Sequence, residues 1–113
     1  MAKGKQFEIV NGKAVGRLTF GIPVPGGPAL DFVLREYTVA DLIDAEQEAS
    51  AMTPIGFNAQ LLCLQLERAG EFAGPFTINM IRGLKAADWQ VLRGAQQALE
   101  AVGEAEPPSA GQS

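Results

Sequence analysis

The chain has 113 residues, 47% of them hydrophobic, and a formal net charge of −4. That is one domain's worth of sequence with a modest core, too apolar for a disordered chain. The acidic balance, with Lys and Arg scattered singly, disfavours a nucleic-acid backbone as partner.

Histidine is absent and Cys63 is the single cysteine. Together these exclude an internal disulfide framework, a cysteine-based zinc site and the usual histidine-based triad. Cys63 sits among leucines and reads as a small buried hydrophobe. No apolar run approaches the roughly 18–20 residues of a membrane span. The basic start, Met1 to Lys5, is not followed by a continuous apolar segment, so a secretory signal is not expected and the cytoplasm is the expected location.

Residues 1–14 read as a leader, with Phe7, Ile9 and the pair Asn11-Gly12 suggesting a short strand and a tight turn. From Arg17 to Pro23 the sequence alternates, which places Leu18, Phe20 and Ile22 on one face. The stretch Pro23 to Pro28 interrupts, and Leu30, Phe32 and Leu34 then resume the alternation. Two strands around a Pro/Gly loop predict a β-hairpin whose apolar face packs on helices.

Thr38 and Asp41 have capping-box spacing, with aspartate in place of glutamate or glutamine. The helix they open places Val39, Leu42, Ile43 and Ala49 on an apolar face, and Asp41, Asp44 and Glu48 on the opposite one. Glu46 projects from the apolar face. It needs an ion-pair partner, for which Arg35 is a candidate, or a wet face that meets another protein. From Glu36 to Glu48 there are five acidic and no basic side chains, either a hydrated surface or a site for a basic segment.

Thr53-Pro54 starts a second helix expected to run to Arg68 or Ala69, where Gly70 stops it. It carries two apolar stripes: Phe57, Leu61 and Leu64, and on the far side Ala59, Leu62, Cys63, Leu66 and Ala69. Such a helix is either central in its own fold, or uses one stripe against another chain. In the second case Ala59, Leu62 and Leu66 form an intermolecular stripe and the protein is a homo-oligomer. Thr77 is placed to cap a short helix through Arg82, which Gly83 ends. A last helix is expected from about Ala86 to Val102, with Leu92, Ala95, Leu99 and Val102 on its buried side. Residues 103–113 read as a disordered tail. The fold expected is therefore α+β: an N-terminal antiparallel β-hairpin, then a bundle of three to four α-helices, in one domain over residues 15–102.

Catalytic signatures are lacking. Asp41, Asp44 and Glu48 have the spacing to share a hard cation but lack the tight glycine-containing loop of a calcium site. Gly26-Gly27 is too short for a phosphate loop, Ser50 and Ser109 have no histidine partner, and nothing around Lys85 suggests an activated amine. No enzyme activity, metal or cofactor is expected.

The order of the parts is more specific than any one of them. A hairpin with a Pro/Gly tip leads into Leu34-Arg-Glu-x-Thr-Val-x-Asp-Leu-x-x-Ala-Glu46, and Leu-x-x-x-Asp-Trp-x-x-Leu (Leu84 to Leu92) opens the last helix. Over roughly residues 15–102 this resembles the tail assembly chaperones of Mu-like contractile-tailed phages and prophages, the tail protein E family. Tyr37 departs from the smaller residue or proline expected there. The resemblance implies a non-enzymatic protein of the host bacterial cytoplasm. It would bind the long, helical tape measure protein and keep it soluble until the tail tube forms, with a longer frameshifted form of itself as a second partner. The alternatives are a structural tail or adaptor protein retained in the virion, and a helix-turn-helix regulator, for which the second helix carries too little positive charge.

Overall fold

A computed structural model describes residues 6–48 and 54–105. The fold is α+β, as expected, but its elements are interleaved. In chain order they are β1 (Phe7–Val10), β2 (Lys13–Val24), β3 (Gly27–Arg35), α1 (Val39–Glu48), α2 (Pro54–Gln65), β4 (Leu66–Ala69), α3 (Ile78–Arg82) and α4 (Ala86–Ala105). The strands form one antiparallel sheet in the order β1-β2-β3-β4.

The turn at Asn11-Gly12 joins β1 to β2, with both residues at positive φ, as a two-residue hairpin turn requires. Because β2 begins at Lys13, the boundary expected after residue 14 falls inside a strand, and Phe7 and Ile9 pack against the core. The Pro23–Pro28 stretch is less of an interruption than its composition suggests. Pro23 pairs with Pro28 and Val24 with Gly27, leaving only Pro25-Gly26 as the turn.

The larger departure lies within β2. Arg17 is opposite Asp31, but the next registered pair is Ile22 with Ala29. Leu18 to Gly21 therefore face a single β3 residue, Leu30, in a wide bulge. The bulge turns Phe20 outward, to 53% exposure, while Leu18 and Ile22 stay buried. The Lys85 ammonium lies 6.0 Å from the Phe20 ring centroid. Gly21 sits at φ +99, and a Cβ there would lie 2.9 Å from the Ala29 carbonyl oxygen, so the bulge needs glycine.

A bulge leaves ladder N–H groups without strand partners, and α4 supplies an acceptor. The Asp88 carboxylate, fully buried, accepts from the backbone N–H of Thr19, Phe20 and Gly21, each at 2.8 Å. These charge-assisted bonds fix the start of α4 on the sheet. Behind Asp88, Leu92, Ala95 and Leu99 enter the core as the helical period predicts, against Ala14, Leu18, Phe32 and Leu34. The helix continues to Ala105, beyond the expected end at Val102.

The second helix stops earlier than expected. At Leu66 the chain becomes extended and pairs with β3, Leu66 opposite Leu34 and Ala69 opposite Phe32. Leu66 and Ala69 stay buried in either geometry, so the apolar pattern alone does not separate helix from strand here. The unpaired edge of β3 decides, since its backbone groups need partners. Gly70 ends β4 at φ +60 and donates its N–H to the Asp31 carbonyl at 2.8 Å. Thr77 begins α3 without a side-chain cap bond. Residues 106–113, where most of the disordered tail was expected, and Thr53, the expected cap of α2, lie outside the described residues.

Replacing Asp88 with Ala strands three N–H groups, one of them, that of Gly21, buried, and we expect a loss of about 3–5 kcal/mol of unfolding free energy. Asp88→Asn keeps one carbonyl acceptor and should cost less. Urea titrations check this; equal stability of Asp88→Ala and the parent would disprove the role given to the carboxylate.

Candidate protein-interaction surface

Thr38 and Asp41 close the expected capping box. The Asp41 N–H donates to Thr38 Oγ1 at 3.2 Å, and the Thr38 N–H donates to Asp41 Oδ2 at 2.8 Å. Asp41 also holds Arg35. Arg35 Nη1 and Nη2 donate to its two carboxylate oxygens at 2.8 and 3.1 Å, and to the carbonyls of Glu36 and Leu64. Arg35 therefore pairs with Asp41, not with Glu46. The hydrogen bonds from Arg35, helped by those from Thr38, hold the Asp41 carboxyl below its ordinary range against the opposing effect of burial.

This pair sets the rotation of α1. Residues two apart lie about 200° round a helix, so turning Asp41 inward turns Val39 and Ile43 outward. Asp41 and Ala45 are buried, whereas Val39 is 70% and Ile43 50% exposed. The apolar face read from the periodicity is thus the outward face, and Glu46, exposed, lies along it. Of the two readings of Glu46, the ion pair with Arg35 is not formed, and the carboxylate instead stands exposed in an apolar row. Asp44 and Glu48 are exposed as expected, while Asp41 is not part of the solvated acidic row. Ala49 lies outside the described residues.

The second stripe meets a different fate. Ala59, Leu62 and Leu66 are 6%, 0% and 6% exposed. They face the chain's own core, so the intermolecular stripe expected there, and the oligomer it implied, lose their surface. Helix α2 is the central helix, with α1 on one side and α3, α4, β3 and β4 around it. Its end is held by a buried polar chain. Gln65 donates to the Arg35 carbonyl at 2.8 Å, and Gln96 of α4 donates to Gln65 Oε1 at 2.9 Å. Arg93 donates in turn to Gln96 Oε1. Nothing local in the sequence signals this network, because its two glutamines stand on different helices, 31 residues apart.

Between α1, α2 and α4 lies an open groove of about 310 Å³, lined by Tyr37, Leu42, Phe57, Leu61 and Gln96, with Arg93 and Glu100 also at its walls. Leu42 belongs to both groove and helix face. From Leu42 through Val39 to Ile43 the apolar arc of α1 spans about 100°, so groove and exposed row are continuous.

Elsewhere the chemistry is sparse. Among the described residues, no group of three or more Cys, Asp or Glu is placed to hold a metal ion, and no helix is long and apolar enough to cross a membrane. Cys63 is half-buried in contact with the core, and burial pushes its thiol up to about 11. Comparison with known proteins adds nothing to the geometry: no family model, no curated protein and no solved structure matches this chain.

Two outcomes follow from these environments. The folded-state lowering of Asp41 from an ordinary value near 3.8 contributes stability present above that value and lost as the pH falls through the lowered one. Asp41→Asn should therefore be less stable than the parent at neutral pH, and the gap should begin to narrow below about pH 3.8 and vanish only in stronger acid, below the lowered value. Urea midpoints at both pH values decide; a constant gap would contradict it. Cys63, raised from 9.0 to about 11, should alkylate roughly 100-fold more slowly with iodoacetamide at pH 8 than the same thiol in denaturant. Equal rates would show that it is not shielded.

Proposed function

We propose that this protein is a non-enzymatic tail assembly chaperone of a contractile-tailed phage or prophage. In this reading it binds the tape measure protein in the bacterial cytoplasm and keeps its apolar helices apart until the tail tube closes around them. The observation that carries the proposal is the outward apolar arc of α1, Val39 and Ile43 continuing into the groove at Leu42. A protein that holds an aggregation-prone helix needs exposed apolar surface kept in place by the rest of its fold. Here the Arg35–Asp41 pair keeps it in place. The order of motifs from Leu34 to Glu46 and from Leu84 to Leu92 supports the same family.

Co-expression tests it. The tape measure protein, aggregated when made alone, should move into the soluble fraction with this chain and co-purify with it. An unchanged soluble fraction overturns the reading. Purified particles should lack the chain; its presence in them would favour a structural or adaptor protein instead.

A further inference from the structure

Most of the molecule shares one core. Buried apolar residues of β2, β3, α2, β4, α3 and α4 form a single cluster, with Phe7 and Ile9 of β1 packed against it. Helix α1 adds no residue to that cluster. Among the described residues, the two buried apolar side chains outside it are Ala45 of α1 and Leu61 of α2. Leu61 shares the groove lining with Leu42 of α1, and α2 is the one element on which α1 packs extensively. The α1–α2 seam is therefore a small second contact, separate from the core. It is also poor in apolar area, since the buried residues of α1 are Asp41 and an alanine while Val39 and Ile43 face away. Polar contact does the holding instead. Asp41 accepts from both Nη atoms of Arg35, at 2.8 and 3.1 Å, and Arg35 reaches the Leu64 carbonyl at 2.9 Å. One side chain thus joins β3, α1 and the end of α2.

We infer that α1 is a releasable lid on α2, latched by the Arg35–Asp41 pair, and that it opens while the sheet, α2 and α4 stay folded. Local opening belongs to elements with few buried apolar contacts and few anchoring bonds, and α1 has both properties. Once the pair has parted, little apolar burial is given up as the helix leaves. Opening removes the Leu42 wall of the groove and uncovers Leu61, which is 4% exposed under the closed lid. The inference follows from the packing and stands whether or not the protein is a chaperone.

Amide hydrogen exchange on the full chain at neutral pH tests it. Relative to an unstructured chain, amides of residues 43–48 in α1 should exchange at least about 100-fold faster than those of residues 92–99 in α4. Over the first ~1 M urea, below the unfolding transition, α1 exchange should change by less than about threefold, because a small opening exposes little surface, while α4 exchange rises about tenfold. Asp41→Ala should speed α1 exchange by about tenfold or more, with the same indifference to urea. Ala45→Pro breaks the helix outright. It should lose the α1 share of helical ellipticity yet keep one cooperative urea transition, followed by the fluorescence of Trp89, which packs on the core. Equal protection of the two helices, a shared urea dependence, α1 exchange indifferent to Asp41→Ala, or loss of the transition in Ala45→Pro overturns the inference.

Discussion

The fold depends on one buried carboxylate. Asp88 gathers the three N–H groups that the β2 bulge releases, and in doing so fixes both the bulge and the start of α4. The two features need each other. A regular β2 would present those groups to β3 and leave Asp88 buried without donors, at a cost of several kcal/mol. A bulge without Asp88 would bury unpaired amides. The outward turn of Phe20 follows from the bulge and not from the hydrophobicity of phenylalanine. The position of Leu92, Ala95 and Leu99 in the core follows from where Asp88 starts the helix.

The same logic, a short-range polar constraint overriding an apolar pattern, governs α1. Burying Val39 and Ile43 is worth about 1.5–3 kcal/mol each on transfer arithmetic. Rotating the helix to do so would break the two-pronged Arg35–Asp41 contact and the capping box with it. Arg35 also bonds the Glu36 and Leu64 carbonyls, so its loss would remove one of the ties between β3 and the end of α2 as well. The described structure keeps the polar set and leaves the apolar arc to solvent.

Local rules were legible in the sequence wherever the interaction spans a few residues. The Asn11-Gly12 turn, the Thr38–Asp41 capping box, and the Leu92, Ala95, Leu99 face of α4 each depend on neighbours within one or two turns. The misreadings share the opposite cause. Leu66–Ala69 keeps its apolar phase as helix or strand, and only the free edge of β3, more than thirty residues earlier, selects the strand. Phe20 and Ile43 follow the expected period but face the other way, because Asp88 and Arg35, remote or on another element, set the local orientation. Glu46 is anomalous only on a buried face, and its face is exposed. The two-striped α2 allowed a central helix or an interface, and contact with α1, α3, α4 and the sheet chose the first.

The candidate groove inherits its shape from that polar framework. Gln96 lines it and also ties α4 to α2 through Gln65, while Gln65 reaches the Arg35 carbonyl and Arg35 reaches Asp41 on α1. A continuous set of hydrogen bonds therefore joins the groove's α4 wall to its α1 wall through its base. Collapse of the two walls onto each other would bury Leu42 and Phe57 but would have to break this set of buried and part-buried bonds. These bonds thus hold the groove open in the isolated chain. On the proposed reading, a client that enters it spends little on reorganising the protein, so more of the contact is available as affinity.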